Sequence, residues 1–437
     1  MEQLVRLAIV LAVGFLTHAV RSFDPAAAGR SQPAGVVLGA GFVLVAAFFV
    51  GRIFAGFGLP RLTGYLAAGI LAGPGALGLV NEAMLADLKL VNGVAVALIA
   101  LGAGAEIDLR SLRPMARLLS AITLIAIVGT SVLLVGVLLL IRPLLPFMEG
   151  LGMAGALGAA LVTAVAVSAQ SPAVVVAVKN ETGASGLVAT SALATVVIAD
   201  LVVIMLFAVA STVARMLLGG QGDVALAMKN LAWELGGSIL AGLLLGGALA
   251  LYLRKVQAGR MLFVLALAVV AAEIGQRLHL DPLIVALCTG LVVQNVGRCG
   301  HALLEIVGTA SIPVAVLFFA VAGAALHLDV LAHLALPVAI LVVARAVGFL
   351  GGTRLAARLA GAPDVVGRWT GFGLLPQAGL AIALGLLLGR TFPEIRSASE
   401  LVLGVVAINE LIAPVFFRWA LVRAGEARAE AAVRAEH

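Results

Sequence analysis

One carboxylate interrupts a long apolar stretch of the chain. Asp200 lies in TSALATVVIADLVVIMLF, residues 190–207, where the other polar side chains are hydroxyls. Taking an ionised carboxylate out of water without a partner costs on the order of several kcal/mol. The presence of Asp200 in this segment therefore requires a structural or functional explanation. A desolvated carboxyl group can bind a proton or a hard monovalent cation, but binding of one disfavours the other. Such competition at one site is sufficient for exchange. The alternative is an aspartate that only satisfies backbone amides at a helix break.

Two further segments place proline and polar residues inside apolar runs, SAQSP at residues 168–172 and PQAG at residues 376–379. Proline removes a backbone donor, and in lipid the freed backbone groups are tolerated only against protein or a water-filled cavity. Paired interruptions point to the binding site of a transporter, although a single proline kink would only shape packing. The predicted site contains Asp200, the oxygen-bearing Ser168, Gln170, Ser171 and Thr195, and the break positions Pro172, Pro376, Gln377 and Gly379.

The composition predicts a protein that lies mostly in lipid. Of the 437 residues, 62% are hydrophobic and 11% are charged, whereas soluble chains carry about 25% charged residues. The net charge of +6 could suggest a nucleic acid as partner, but the basic residues are scattered between apolar runs and therefore set topology instead. The two cysteines and the dispersed histidines suit neither a disulfide framework nor a metal site, so we expect no metal and no cofactor.

About 13–14 apolar stretches are long enough to be transmembrane helices, which makes the fold class an all-α polytopic membrane protein. Lysine and arginine are concentrated in alternate connections, and the positive-inside rule then places both termini in the cytoplasm. Residues 1–22 are predicted to be an extra N-terminal helix, or alternatively a signal-like segment. Residues 425–437 are polar and are predicted to form a short cytoplasmic tail.

Four ordered segments resemble the monovalent cation/proton antiporter superfamily, especially its Kef-like and Nap-like prokaryotic branch. They are GYLAAGILAGP, SPAVVVAVKNETG, AAEIGQRLHLDPLIVALCTGLVVQN and LFFAVAGAALHLDVL, and the resemblance spans residues 36–424. It implies a secondary active transporter of a prokaryotic inner membrane, and not an enzyme. Such a transporter exchanges sodium, or alternatively potassium or lithium, for protons by alternating access.

The resemblance also implies an architecture. Two inverted repeats of six helices, residues 36–211 and 261–424, would be joined by a linker helix at residues 230–253. A core domain that holds two broken helices, which cross near the midplane, would move against a dimerisation domain in a homodimer. Asp200 matches the family's essential aspartate, and Arg345 matches a basic residue that pairs with a carboxylate or stabilises the core.

The chain departs from the family pattern beside these residues. Ala199 precedes Asp200 where much of the family has aspartate or asparagine, Gln170 stands where threonine is common, and the PQAG break lacks a charge that many members carry. Arg345 stays protonated, so it is predicted to be a structural counter-charge, and with Ala199 in place its partner could be Asp200 itself. One titrating carboxylate carries at most one proton against one cation, so the exchange is predicted to be electroneutral.

The sequence does not exclude two other functions. The same broken-helix architecture could carry an organic or anionic solute coupled to a cation or a proton, although that rests on analogy between folds. The departures at Ala199 and Gln170 would also suit a transport-inactive sensory homologue. An intramembrane enzyme is disfavoured because no GxGD-like or HExxH arrangement accompanies Asp200.

Overall fold

The computed structural model describes residues 33–81, 84–85, 88–218, 224–256, 259–278, 280–325 and 330–427, and the regular structure in these ranges is helical. The described part of the chain therefore confirms the predicted all-α class. The expectations for residues 1–22, and for the tail beyond residue 427, lie outside the described residues.

The helices are numbered here in chain order. They are α1 (Pro33–Gly56), α2 (Arg61–Ala72), α3 (Lys89–Glu106), α4 (Leu109–Leu112), α5 (Ala116–Ile122), α6 (Gly129–Leu140), α7 (Met153–Ser168), α8 (Pro172–Thr182), α9 (Leu187–Leu217), α10 (Val224–Lys255), α11 (Arg260–Leu278), α12 (Pro282–Asn295), α13 (Gly300–Ala324), α14 (Val330–Ala360), α15 (Asp364–Trp369), α16 (Gly379–Thr391) and α17 (Ser397–Arg423). A π-helical turn joins α5 to α6, and short 3₁₀ turns flank several of the others.

The chain folds as two compact units, each drawn from both halves of the sequence. The described residues of the first unit come from 33–109 and 232–325, and those of the second come from 110–231 and 330–427. The first unit therefore holds α1–α3, most of α10 and α11–α13, while the second holds α5–α9 and α14–α17. Both segments that the sequence marks as breaks belong to the second unit.

Six helical segments of the described residues are long and apolar enough to cross a membrane. They are Arg113–Leu140, Met153–Thr182, Leu187–Leu217, Ala232–Lys255, Leu334–Ala360 and Ser397–Arg423. Two bent pairs, Gly300–Gly308 with Pro313–Ala324 and Asp364–Leu374 with Gly379–Gly389, raise the number to eight if each pair is one span. The prediction of about 13–14 crossings also includes shorter apolar helices and stretches outside the described residues, and it stays a prediction.

Helix pairs in the first unit approach so closely that only glycine fits at the contact. A Cβ on Gly104 of α3 would overlap a carbonyl oxygen of α12, and a Cβ on Gly290 of α12 would overlap a carbonyl oxygen of α3. The same reciprocal arrangement joins α2 to α13 through Gly69 and Gly323. Membrane helices use small residues in this way because backbone contact supplies the attraction that the hydrophobic effect does not supply in lipid.

Close contacts of the same kind hold α14 inside the second unit. Gly348 of α14 lies against the side chain of Thr130 at the start of α6. One turn later, Gly352 lies against the backbone of Ala126, which belongs to the π-helical turn Thr123–Val128. One face of the middle turns of α14 is therefore buried against neighbouring helices, and a charged side chain on that face has to find polar partners within the protein.

The residues that follow α17 cap the start of α9. The carboxylate of Glu426 accepts hydrogen bonds from the backbone N–H of Val188 at 2.7 Å and from that of Ala189 at 2.8 Å. These amides have no partner within α9, and the N-terminal end of a helix favours a negative charge. Glu426, from the predicted tail, therefore fixes one end of the helix that carries Asp200.

We expect Gly290→Ala to destabilise the protein by about 1–3 kcal/mol, because the added methyl group forces α3 and α12 apart. Gly136→Ala in α6 is the matched control, since a Cβ at that position meets nothing within 4 Å. Replacing an open helical glycine removes a cost of up to about 1 kcal/mol, so this variant should be as stable as the wild type or slightly more so. The midpoint of thermal unfolding in detergent measures both, and equal midpoints would show that the α3–α12 contact accommodates a Cβ at Gly290.

Candidate functional site

The first break separates α7 from α8. The first of these helices ends at Ser168 and the second begins at Pro172, and the residues between them are not helical. Ser171 caps α8 with its Oγ, which accepts a hydrogen bond from the backbone N–H of Val174 at 3.3 Å. Pro172 takes the first helical position, where a missing N–H has no cost. Residues 168–172 are all buried, so this break lies inside the unit.

The second break separates the 3₁₀ turn Thr370–Leu374 from α16. The helical segments on its two sides are bent by 49°. Pro376 and Gln377 are buried within the break, and Gly379 is the first residue of α16. Two helical segments thus end inside the second unit, and each has backbone carbonyl groups that cannot find a hydrogen-bond donor within its own helix.

Arg345 of α14 connects these two helix ends, and its guanidinium group is fully buried. Its Nε donates to the carbonyl oxygen of Val167 at 2.9 Å, and its Nη2 donates to that of Ala169 at 2.8 Å, both at the end of α7. On the other side, Nη1 donates to the carbonyl oxygen of Leu375 at 2.6 Å and Nη2 to that of Leu374 at 3.2 Å. One side chain therefore satisfies carbonyl groups from both breaks.

The charge of Arg345 suits this position as well as its geometry does. The C-terminal end of a helix carries a partial negative charge, and two such ends face one guanidinium here. The same group lies over the ring of Phe349, with its central carbon 4.7 Å from the ring centroid. The sequence suggested Asp200 as its partner, whereas the hydrogen bonds that the structure describes for Arg345 go to the backbone at the breaks.

Gln377 reinforces the same contact from the second break. Its Nε2 donates to the carbonyl oxygens of Val167 at 2.9 Å and Ala169 at 3.1 Å. Its Oε1 accepts a hydrogen bond from Nδ2 of Asn409 on α17 at 2.9 Å, and the same Nδ2 donates to the carbonyl oxygen of Val405. Gln377 therefore joins the breaks to each other and to α17, and Asn409 is a member of the site that the sequence analysis did not identify.

Asp200 lies in the middle of α9 and is only 3% exposed. This helix packs against α7 and against the 3₁₀ turn Thr370–Leu374, which are the two elements that end at the breaks. Ala199, the preceding residue, is fully buried and brings no polar group. The carboxylate thus lies on a helix that contacts both broken elements, inside the same unit as Arg345.

The oxygen atoms proposed as ligands fall into two groups. Ser168 and Ser171 are engaged: the Oγ of Ser168 donates to the carbonyl oxygen of Val165 at 2.8 Å and accepts from Ser131, and Ser171 caps α8. Oε1 of Gln170 and Oγ1 of Thr195 are both buried and find no hydrogen-bond partner among the described residues. Buried acceptors without donors are suited to binding a cation, so these two are the better candidate ligands.

Glu410 is the clearest residue that the sequence analysis missed. It lies on α17, directly after Asn409, and is 1% exposed. Within the described ranges neither of its carboxylate oxygens has a hydrogen-bond partner. The signal that identified Asp200, an acidic residue inside an apolar run, is also present at Glu410 in LVLGVVAINELIAPVFF and could have found it.

Comparison with known proteins gives a family model and a fold. The model described as "Sodium/hydrogen exchanger, transmembrane" matches residues 43–423. One similar structure is that of the sodium proton antiporter MjNhaP1 from Methanocaldococcus jannaschii at pH 8, with 17% identity, a TM-score of 0.60, and coverage of 92% of this chain and 97% of that one. An electron-microscopy map of the same antiporter gives 16% identity, a TM-score of 0.67, and coverage of 93% and 98%. At this identity the likeness shows a shared fold, and no curated protein matches the chain.

We expect Arg345→Lys to lower the midpoint of thermal unfolding in detergent, and Arg345→Met to lower it further. A single ammonium group cannot reach carbonyl oxygens at both breaks, and each buried hydrogen bond lost costs about 0.5–1.5 kcal/mol. Arg354→Lys on the exposed face of the same helix is the control and should leave the midpoint unchanged. A methionine variant as stable as the wild type would show that the carbonyl groups at the breaks do not depend on Arg345.

Proposed function

The chain belongs to the sodium/hydrogen exchanger family, and from this premise we propose that it exchanges a monovalent cation for protons across a membrane through Asp200. The observation that carries the proposal is the burial of this carboxylate on α9, the helix that packs against both broken elements. Support also comes from the fold, which is shared with a sodium proton antiporter. The buried carboxyl group of Asp200 lies in the unit whose two breaks also carry backbone, hydroxyl and amide oxygens.

In this proposal Asp200 binds a proton or a cation in turn. A proton neutralises the carboxylate by itself, while a cation neutralises it and also needs further oxygen ligands, for which Thr195 and Gln170 are the candidates. An occupied site is close to neutral in either case, whereas the empty, ionised site is costly to move through a dry interior. Alternating access by the broken helices then moves one species outward and the other inward.

Sodium is the cation that we propose first, with potassium or lithium as alternatives. Neutral and charged oxygen donors suit all three ions, and the pattern of ligands does not by itself select among them. Electroneutral exchange, expected from the sequence, assumes that Asp200 is the only carboxyl group that exchanges its proton. On that assumption one proton crosses for each cation.

The second unit is proposed as the moving core and the first as the dimerisation domain of a homodimer. The second unit contains both breaks together with Asp200 and Arg345, which is what a core domain requires. The repeats at 36–211 and 261–424, the linker at 230–253, the prokaryotic inner membrane and the cytoplasmic termini belong to the same proposal. That the chain is a multi-pass membrane protein follows from its family and its helices.

We expect Asp200→Asn to abolish cation/proton exchange in reconstituted liposomes, because the amide can neither release a proton nor neutralise a cation. The assay starts from an acidic interior reported by a pH dye, and sodium, lithium or potassium is then added outside. Asp364→Asn, which changes an exposed residue of the same unit, is the matched control and should exchange like the wild type.

Each outcome of this assay has a distinct meaning. Collapse of the gradient by one cation in the wild type, and not in Asp200→Asn, would support the proposal and identify the ion. Exchange that survives in Asp200→Asn would exclude Asp200 as the carrier. If no cation moves protons in the wild type, the antiport proposal is wrong, and the organic-solute and sensory functions become the ones to test.

We expect Thr195→Val to raise the KM for sodium about tenfold, because it removes one neutral ligand while keeping the shape of the side chain. The hydroxyl has no hydrogen-bond partner among the described residues, so the unfolding midpoint should not fall. Thr63→Val on α2 is the matched control, since Thr63 is also a buried hydroxyl without a described partner but lies in the first unit. An unchanged KM for Thr195→Val would remove Thr195 from the ligand set.

A further inference from the structure

Glu410 is a buried carboxyl group to which the proposed function gives no role. It lies in the interior of α17, is 1% exposed, and has no hydrogen-bond donor to either oxygen among the described residues. Buried polar groups nearly always have partners, and an ionised carboxylate without one is strongly disfavoured. Burial without a donor therefore favours the neutral acid over the ionised carboxylate in this conformation.

Among the described residues, no charged side chain around α17 forms a hydrogen bond with the carboxyl group of Glu410. The main elements that pack against α17 are α7, α8, α14, α16 and the 3₁₀ turns Pro146–Met148 and Thr370–Leu374. The charged residues of these elements and of α17 itself whose side chains the structure describes are Lys179, Glu181, Arg345, Arg354, Arg358, Glu400, Arg418 and Arg423. Of these, Arg345 is fully buried, and its described hydrogen bonds go to the carbonyl groups at the breaks.

The position of Glu410 connects it to the parts that move in alternating access. Asn409, its neighbour in sequence, donates to Gln377 in the second break, and Gln377 in turn donates to carbonyl oxygens of the first break. Pro414 lies four residues after Glu410 and has no N–H, so the regular helical hydrogen bond to the Glu410 carbonyl is missing. A rearrangement of the breaks therefore acts on the turn of α17 that carries this acid, at a point where the helix is weakened.

We propose that Glu410 is a second proton-exchanging carboxyl group of the transport cycle, so that two protons cross for each monovalent cation. The inference rests on the proposed antiport through Asp200. On one side of the membrane both acids release a proton to water, and one cation binds to the Asp200 carboxylate. The Glu410 carboxylate takes no cation. On the other side the cation leaves and both carboxylates take up protons from water, so each cycle moves one net positive charge.

The ionised form of Glu410 needs a positive partner when it is not in contact with water. Arg345 is the candidate, because α14 packs against α17 and the described hydrogen bonds of Arg345 go to the two breaks, which would rearrange in alternating access. A purely structural acid at this position would keep its proton throughout. Replacement by glutamine, which is neutral and of similar shape, distinguishes these two roles.

The experiment measures the sodium gradient that balances a fixed pH gradient in liposomes held at zero membrane potential. With a difference of one pH unit, transport of two protons per sodium ion balances at about a hundredfold sodium gradient, and transport of one proton balances at about tenfold. We expect about a hundredfold for the wild type and about tenfold for Glu410→Gln. Glu400→Gln, an exposed position on the same helix, is the matched control and should balance like the wild type.

The wild-type value can overturn the proposal even if Glu410→Gln fails to fold. A wild type that balances at about tenfold overturns the role of Glu410 and leaves the antiport through Asp200 intact. A Glu410→Gln variant that still balances at about a hundredfold also overturns it, because the second proton would then use another group. If the wild type shows no exchange with sodium, lithium or potassium, the antiport proposal fails and the role of Glu410 fails with it.

Discussion

A helix that stops inside an apolar unit leaves carbonyl oxygens that water cannot reach. In the part of the chain that the structure describes, α7 stops in that way at Ser168 and the 3₁₀ turn Thr370–Leu374 does so at Leu374, and both ends lie in the same unit. The guanidinium of Arg345 donates to carbonyl groups of both ends, and Gln377 adds two further hydrogen bonds to the first. Without these donors the breaks could not persist in a dry interior, and there would be no irregular backbone beside α9.

This arrangement separates two tasks that charged groups perform in the unit. Arg345 holds the backbone, with a permanent charge directed at the negative ends of two helices. Asp200 lies on the neighbouring helix α9 and is proposed to exchange its proton for a cation, which a permanently charged group could not do. Glu410 is a second buried acid of the same unit. If it also exchanges its proton, as proposed above, the number of charges moved in a cycle depends on both carboxyl groups.

The sequence predicts the main features of the site because proline and charge are conspicuous in apolar runs. SAQSP and PQAG mark the breaks, and Asp200 and Arg345 stand out at membrane depth. The partners of Arg345 could not be predicted, since a backbone carbonyl has no signature in a sequence. The division into two interleaved units was equally hidden, because it depends on contacts between distant segments. The bend near Pro313 in the first unit was not identified from the sequence, although Gly308, Thr309 and Ser311 precede this proline.

The cap that Glu426 places on α9 has a consequence for biosynthesis. A ribosome makes α9 well before α17, so the amides of Val188 and Ala189 have no carboxylate partner while the second half of the chain is still being translated. During that interval the first turn of α9 depends on water at the membrane surface or frays. The first turn of α9 therefore receives its cap only after Glu426 has left the ribosome. In a nascent chain that still lacks Glu426, Asp200 lies on a helix whose N-terminal amides have no carboxylate cap.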